Sequence, residues 1–320
     1  MSTNSSPLVF TLETLALPDA SIYPMFFLGT LTYVLITFFN VLLLTTIALN
    51  KKLHKPMFIL LFNLPLSDMV CATAFFPHLI YSIMTQDRLI NKPACIIQAF
   101  LIHFYGTGNM LVLTAMAYDR YVAVCCPLRY NTIMSPPNLV RIITTVWLIT
   151  FLVIGALFFL LMRLKVCRRN VVDLFCNNPS LLKMVCEDTT VNNIYGLALM
   201  CVVQGGSLAV VMYSYVRILH VCFVTSQTDT RRKAIQTCGT HLIVFLIFQI
   251  NSVTALISHR IVNANPYMRR LLGVSILVFP PFLDPIIYGL KSVELKQSLR
   301  MFLKRNIVGV KLLKKKRRHL

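Results

Sequence analysis

Asp119 and Arg120 stand side by side where an apolar run ends. A neighbouring acid and base can hold each other in one state and part in another. Two more acids, Asp68 and Asp284, and the amide Asn40 lie inside other apolar runs, and a second amide, Asn109, lies inside the run that precedes Asp119. Ionisable groups in such places are costly and usually functional. Asp68 and Asp284 as bare anions would repel, so a shared proton, a sodium ion or waters are expected between them. His103 and His241 fall on different runs at opposite depths, so they cannot form one site. The sequence has no glycine-rich phosphate loop and no His-Glu-x-x-His, and it offers no enzyme constellation.

The elements that position these residues follow from composition. The 320 residues are 57% hydrophobic and 13% charged, with a mean hydropathy of +0.71. A soluble domain carries about 25% charged residues. Seven long apolar runs recur: Met25 to Leu49, Met57 to Met84, Cys95 to Tyr118, Val140 to Met162, Val191 to Val216, Ala234 to Ser258 and Leu271 to Leu290. About 20 mainly apolar residues cross a bilayer as a helix. Backbone groups in lipid must be paired within the segment, which favours helices. Pro65, Pro280, Pro281 and Pro285 are expected to kink these helices rather than end them. The alternating segments of a membrane barrel, roughly 10 residues each, are absent. The first run is too long for a cleavable signal. The expected fold is an all-α membrane protein with seven spanning helices.

Charge sets the orientation. Of 31 Lys and Arg, 21 fall on one side of the seven runs, eleven of them from Lys291 onward. The positive side faces the cytoplasm. The N-terminus is therefore expected outside and the C-terminus inside. Three regions follow: an extracellular segment 1–24, a bundle 25–290, and a cytoplasmic amphipathic stretch with a polybasic tail 291–320. The tail suits anionic lipid headgroups. The net charge of +20 thus reads as membrane orientation, not nucleic-acid binding. Asn4-Ser5-Ser6 is an external glycosylation sequon. Of ten cysteines, Cys95, Cys167, Cys176 and Cys186 fall in or beside external loops. They suit disulfides, with three pairings open. Their spacing does not fit zinc. No cofactor is expected.

Six stretches resemble one family. "MAYDRYVAVCCPLRY" (116–130) resembles the signature of an olfactory receptor, within the rhodopsin-like G-protein-coupled receptors. "LHKPMFILLFNLPLSD", "SLLKMVCEDT", "SYVRIL", "RRKAIQTCGTHL" and "PPFLDPIIYGLK" resemble further stretches of that family in the same order. Four positions depart from its pattern: Phe39 before Asn40, Pro65 after Leu64, Gln249 after Phe248, and Asp284 where the family usually has Asn. The only tryptophan is Trp147, so helix six lacks the Trp-x-Pro of most other rhodopsin-like receptors.

The resemblance implies the rest. Cys95 pairs with Cys176 and Cys167 with Cys186. A small odorant binds among the outer halves of helices three, five, six and seven. The candidates are His103, Gly106 and Thr107, which share a helical face, with Met200, Val203, Gln204, Gln249, Ser252, Val253 and Val274. His103 is expected to donate to a ligand carbonyl or carboxylate, and its protonation to vary near neutral pH. The outer half of helix three holds no acid, which argues against an amine ligand held by a salt bridge. Binding swings helix six outward and parts Arg120 from Asp119. A heterotrimeric G protein of the stimulatory, olfactory type enters near Arg120, Tyr121, Tyr215, Lys233 and Tyr288, and cyclic AMP rises. The expected place is the plasma membrane. The alternatives are a receptor for a metabolite or peptide, or a transporter, which would need internal repeats that the halves do not show.

Overall fold

The computed structural model describes residues 9–13, 18–224, 228–260, 265–291 and 295–298; side chains of 228–237 and 290–291 are outside that description. Asn4, most of the polybasic tail and the Lys233 side chain therefore lie outside the described residues.

In chain order the elements are β1 Val9–Leu12, α1 Asp19–Leu49, α2 Pro56–Leu61, α3 Asn63–Thr85, β2 Leu89–Asn91, α4 Lys92–Cys125, α5 Tyr130–Ile133, α6 Pro136–Met162, β3 Asn170–Val171, α7 Asn178–Leu182, α8 Thr190–Met200, a π-helical turn Cys201–Gly205, α9 Gly206–Val224, α10 Thr228–Ser258 and α11 Pro266–Lys291. Seven helical segments are long and apolar enough to cross a membrane. They coincide with the seven apolar runs, but most extend past them. Asp19 begins α1 ahead of Met25, and α4 runs on beyond Tyr118 to Cys125.

Proline explains several boundaries. It opens α2, α6 and α11 and lies in the first turn of α4, where its missing N–H costs nothing. Pro280, Pro281 and Pro285 stay inside α11. Near Pro65 the spanning helix is interrupted but not ended: α2 and α3 meet at Phe62, whose backbone stays α-helical at φ −58° and ψ −25°, within one segment from Pro56 to Thr85. The ring of Pro65 opposes the carbonyl four residues earlier and supplies no donor to it. Gln86, at φ 57°, turns the chain out of α3.

Disulfides Cys95–Cys176 and Cys167–Cys186 mark one end of the bundle. A small sheet lies at the same end, and nothing in the sequence announced it. Its order is β2-β1-β3, with Val9 opposite Asn91 in antiparallel pairing and Thr11 beside Asn170 in parallel. One buried cluster runs down the bundle from Phe75, Tyr105 and Phe175 to Ile218 and Tyr288. A second, around Phe10, Cys95, Phe158 and Met184, seats the loops on α4 and α6. Asn50 donates to Ser298 at 2.7 Å and ties the short helical turn 295–298 to the end of α1.

Candidate functional site

A cavity of about 160 Å³ opens at the disulfide end. Its position follows from helix faces. His103, Gly106 and Thr107 line it from α4; Met200, Val203 and Gln204 line it around the π-helical turn. Ser252, Ala255 and Leu256 of α10, with His259 just past its end, form the next wall, at the spacing of one helical face. Val253, one residue off that face, is not among the lining residues. Val274 also falls outside the lining: its neighbours Gly273 and Ile276 take that wall, while Val274 packs on the main core. Gln249 lies a turn deeper. It does not line this cavity, but its amide donates at 3.4 Å to the backbone carbonyl of Gln204.

The lining mixes donors, Arg260 and Thr107 among them, with acceptors that lie deeper. His103 Nδ1 lies 2.9 Å from the Ala99 carbonyl. A carbonyl only accepts, so Nδ1 carries the proton, and in the neutral ring Nε2 presents a lone pair. Toward the cavity the neutral ring thus accepts, and only the protonated ring donates from Nε2. The Gln204 side-chain oxygen is buried without a protein donor among the described residues. Ser252 spends its proton on Phe248 O at 2.7 Å. Apolar walls come from Ile102, Leu157 and Ile276.

A lid covers this space. Phe175, Asn177, Asn178 and Pro179 contribute to the lining. Gln98, which sequence reasoning missed, holds the lid from α4: its amide donates to Ala74 O and its oxygen accepts from Cys176 N, both at 2.8 Å. A lone Gln in an apolar run carries no periodic signal.

Below the cavity lies a polar core. Asn40 donates to Pro281 O at 2.8 Å, and Asn109 donates to Asp68 Oδ1 at 3.0 Å. Asp68 Oδ2, Asp284 Oδ2, Asn109 Oδ1 and the Tyr288 hydroxyl are buried with no protein partner among the described residues. Buried polar atoms need partners, and oxygens of this kind suit waters or one small hard cation such as sodium. Among the described residues no cluster of three His, Cys, Asp or Glu suits another metal.

The opposite end is closed by side chains. Arg120 Nε donates to Asp119 Oδ2 at 3.0 Å, and the Tyr130 hydroxyl donates to Asp119 Oδ1 at 2.9 Å. Burial first, then the Asp119 charge, push the Tyr130 phenol above its ordinary range, so it stays a donor. The Tyr215 hydroxyl lies 2.8 Å from both Cys238 O and His241 Nδ1. His241 Nε2 reaches Leu113 O at 2.9 Å. One histidine thus bonds α10 to α9 and to α4. Sequence reasoning placed His241 at this depth but gave it no role. Tyr121 packs on Tyr213 with ring centroids 5.9 Å apart, and Tyr288 is buried in the core. Leu128, between Pro127 and Arg129, is 99% exposed.

Known proteins share this plan. A family model described as olfactory receptor matches residues 29–305. Human olfactory receptor 51I2 is 34% identical over 266 residues, covering 82% of this chain and 85% of the relative. Mouse olfactory receptor 1M1 is 32% identical over 269 residues, covering 84% and 86%. Squid rhodopsin superimposes with a TM-score of 0.75 over 93% of this chain and 91% of its own, at 14% identity. That last likeness concerns the fold alone.

Proposed function

Because the chain belongs to the olfactory receptor family, an odorant-sensing G-protein-coupled receptor and multi-pass protein of the plasma membrane, we propose that its ligand occupies the cavity of His103, Gly106, Thr107, Met200, Val203, Gln204 and Ser252. The ligand is a small, largely apolar molecule. It carries a hydrogen-bond donor such as a hydroxyl, because the deep polar atoms of the cavity accept. Gln249, Val253 and Val274 act from behind the wall.

The observation that carries this reading is the course of α10. Ser252, Ala255 and Leu256 of this helix face the cavity, while His241 of the same helix is bonded to α9 and α4 at the other end. A ligand that packs better against a shifted α10 favours the state in which those bonds are broken. It moves the equilibrium only by that difference in affinity. The disulfide end and residues 1–24 face outward. The Asp119–Arg120 end and the tail 291–320 face the cytoplasm, as the distribution of Lys and Arg indicates. A G protein of the stimulatory, olfactory type then docks between Arg120, Tyr121, Tyr215, Lys233 and Tyr288 and raises cyclic AMP. Sodium or waters fill the space beside Asp68 and Asp284. Asn4 is glycosylated, and the polybasic tail holds anionic lipid.

The test is a panel of small volatile and water-soluble molecules on cells that report cyclic AMP. Alcohols are expected to outrank the matching ethers. Receptor at the surface that answers no member of the panel, or ethers equal to alcohols, would count against this reading.

A further inference from the structure

The lid has two edges of different chemistry. One is covalent: Cys176 is bonded to Cys95, beside the Gln98 bridge. The other is ionic. Asp173, three residues before Cys176, is a buried carboxylate at 2% side-chain exposure. Its Oδ1 accepts from Arg269 Nε of α11 at 3.2 Å, and Arg269 Nη2 also donates to Val172 O at 3.1 Å. Its Oδ2 accepts from Ser180 and Asn177, which shape the lid itself. His259, a residue of the cavity wall, places Nδ1 3.7 Å from the same oxygen. The Asp173 carbonyl accepts from Glu13 N at 3.2 Å, and the Glu13 carboxylate pairs with Arg270 at 3.3 Å. Two adjacent arginines of α11 thus hold two carboxylates of the lid layer.

We propose that Asp173 and Arg269 form an ionic latch that fastens the free edge of the lid over the cavity, with the Cys95–Cys176 disulfide as its hinge. Asp173 is a positioning residue: it does not line the cavity but holds Phe175, Asn177 and Asn178 across its mouth. The proposal rests on the cavity being the ligand site only for its consequence, which is slow entry and exit of the ligand.

His259 makes the latch sensitive to acid. Burial first, and then the charges of Arg269, Lys183 and Arg260 against the opposing pull of Asp173, hold its imidazole below the ordinary value of 6.5. His103, across the cavity, also feels its charge. Burial tends to raise Asp173, but His259, Ser180, Asn177 and Arg269 together hold it below the ordinary carboxylate range, so it stays charged throughout. Opening the lid returns His259 to its ordinary value. A base depressed in the closed state supports closure above that value and withdraws support as pH falls through it. Acid therefore loosens the lid.

The test needs no ligand. In full-length receptor on cells, Ser252→Cys places a thiol in the cavity. Its rate of modification by the impermeant cation 2-(trimethylammonium)ethyl methanethiosulfonate, counted per surface receptor and above the parent with Ser252 intact, reads lid opening. Asp173→Asn is expected to speed labelling roughly tenfold, the factor for losing one charged contact. Removing a negative charge at the mouth would by itself slow a cationic reagent, so acceleration reports opening. Arg269→Gln, on another element, gives a similar increase, and the double variant adds little. Between about pH 7.5 and 5.5, labelling of the latched receptor should rise relative to Asp173→Asn, a ratio that cancels the thiolate fraction; His259→Gln removes this rise. Wild-type rates in both Asp173→Asn and Arg269→Gln, at normal surface level, overturn the latch. An unchanged ratio across pH overturns the role of His259. Neither result depends on the odorant reading.

Discussion

The Tyr215 hydroxyl and His241 Nδ1 lie 2.8 Å apart, with their rings at an interplanar angle of 3°. Because His241 Nε2 must donate to the Leu113 carbonyl, Nδ1 of the neutral ring keeps its lone pair, and the single Tyr215 hydroxyl proton is shared between it and the Cys238 carbonyl. His241→Phe keeps a ring of similar shape and removes both bonds. A buried hydrogen bond contributes about 0.5–1.5 kcal/mol net, so the open state should gain severalfold or more. The expected outcome is higher cyclic AMP without ligand, per receptor at the surface. Basal signalling equal to wild type would show that this bond does not restrain α10.

Asp119 holds two donors, Arg120 and Tyr130. They should respond in opposite senses. Tyr130→Phe takes a donor from the carboxylate, loosens the closed state and raises basal signalling by a few fold. If Arg120 meets the G protein as proposed, Arg120→Ala abolishes the cyclic AMP response while surface expression survives. A response retained in Arg120→Ala would remove this arginine from the coupling site.

The seven spans were legible because lipid demands a long apolar run wherever a helix crosses, and no other arrangement explains Met25 to Leu49 or Val140 to Met162. Helix ends were less legible. Outside the hydrocarbon, polar residues can continue a helix, as Lys92 does at one end of α4 and Asp119 and Arg120 do towards the other. The strand Val9–Leu12 has too few residues for a period, and its partners lie far along the chain. His103, Gly106 and Thr107 were readable as one face of one helix. Val253 and Val274 fall outside the cavity lining because the rotation of α10 and α11 about their axes is set by packing, which a single sequence does not display. Asp173 carried no signal of its own: its meaning lies in Arg269 and His259, which only the folded chain brings to it.

Gly106 and Gly108 sit two residues apart on α4 and should behave differently. A Cβ at Gly106 meets nothing within 4 Å, and Gly106 borders the cavity. A Cβ at Gly108 would run into the Trp147 ring. That ring has little room to yield: it stacks on Phe104 at 5.2 Å and donates from Nε1 to Asn63 Oδ1 at 2.9 Å. Gly106→Ala is expected to leave surface expression and thermal stability intact while shifting the ranking of agonists. Gly108→Ala overpacks the contact between α4 and α6, at a cost of about 1–3 kcal/mol. Thermal unfolding of detergent-solubilised receptor compares the two; equal midpoints would remove the close approach as the reason for glycine at 108.

Leu128 gives the clearest apolar anomaly at the Asp119–Arg120 end. It is 99% exposed, it stands between Pro127 and Arg129, and it follows directly on the end of α4. The exposed leucines of α1 and α6 face lipid along the spans, but Leu128 lies beyond the helix end, where water is the neighbour. Such a side chain gains little from the fold: among the described residues it joins neither buried cluster. Burial against a docked partner would stabilise the complex by about 1.5–3 kcal/mol for a fully covered leucine, a tenfold or greater change in affinity. Leu128→Asp should therefore leave surface level and ligand binding unchanged and reduce agonist-stimulated cyclic AMP by about tenfold or more, while Leu128→Met retains most of it. Aspartate and methionine variants that signal alike would place the leucine outside the docking surface.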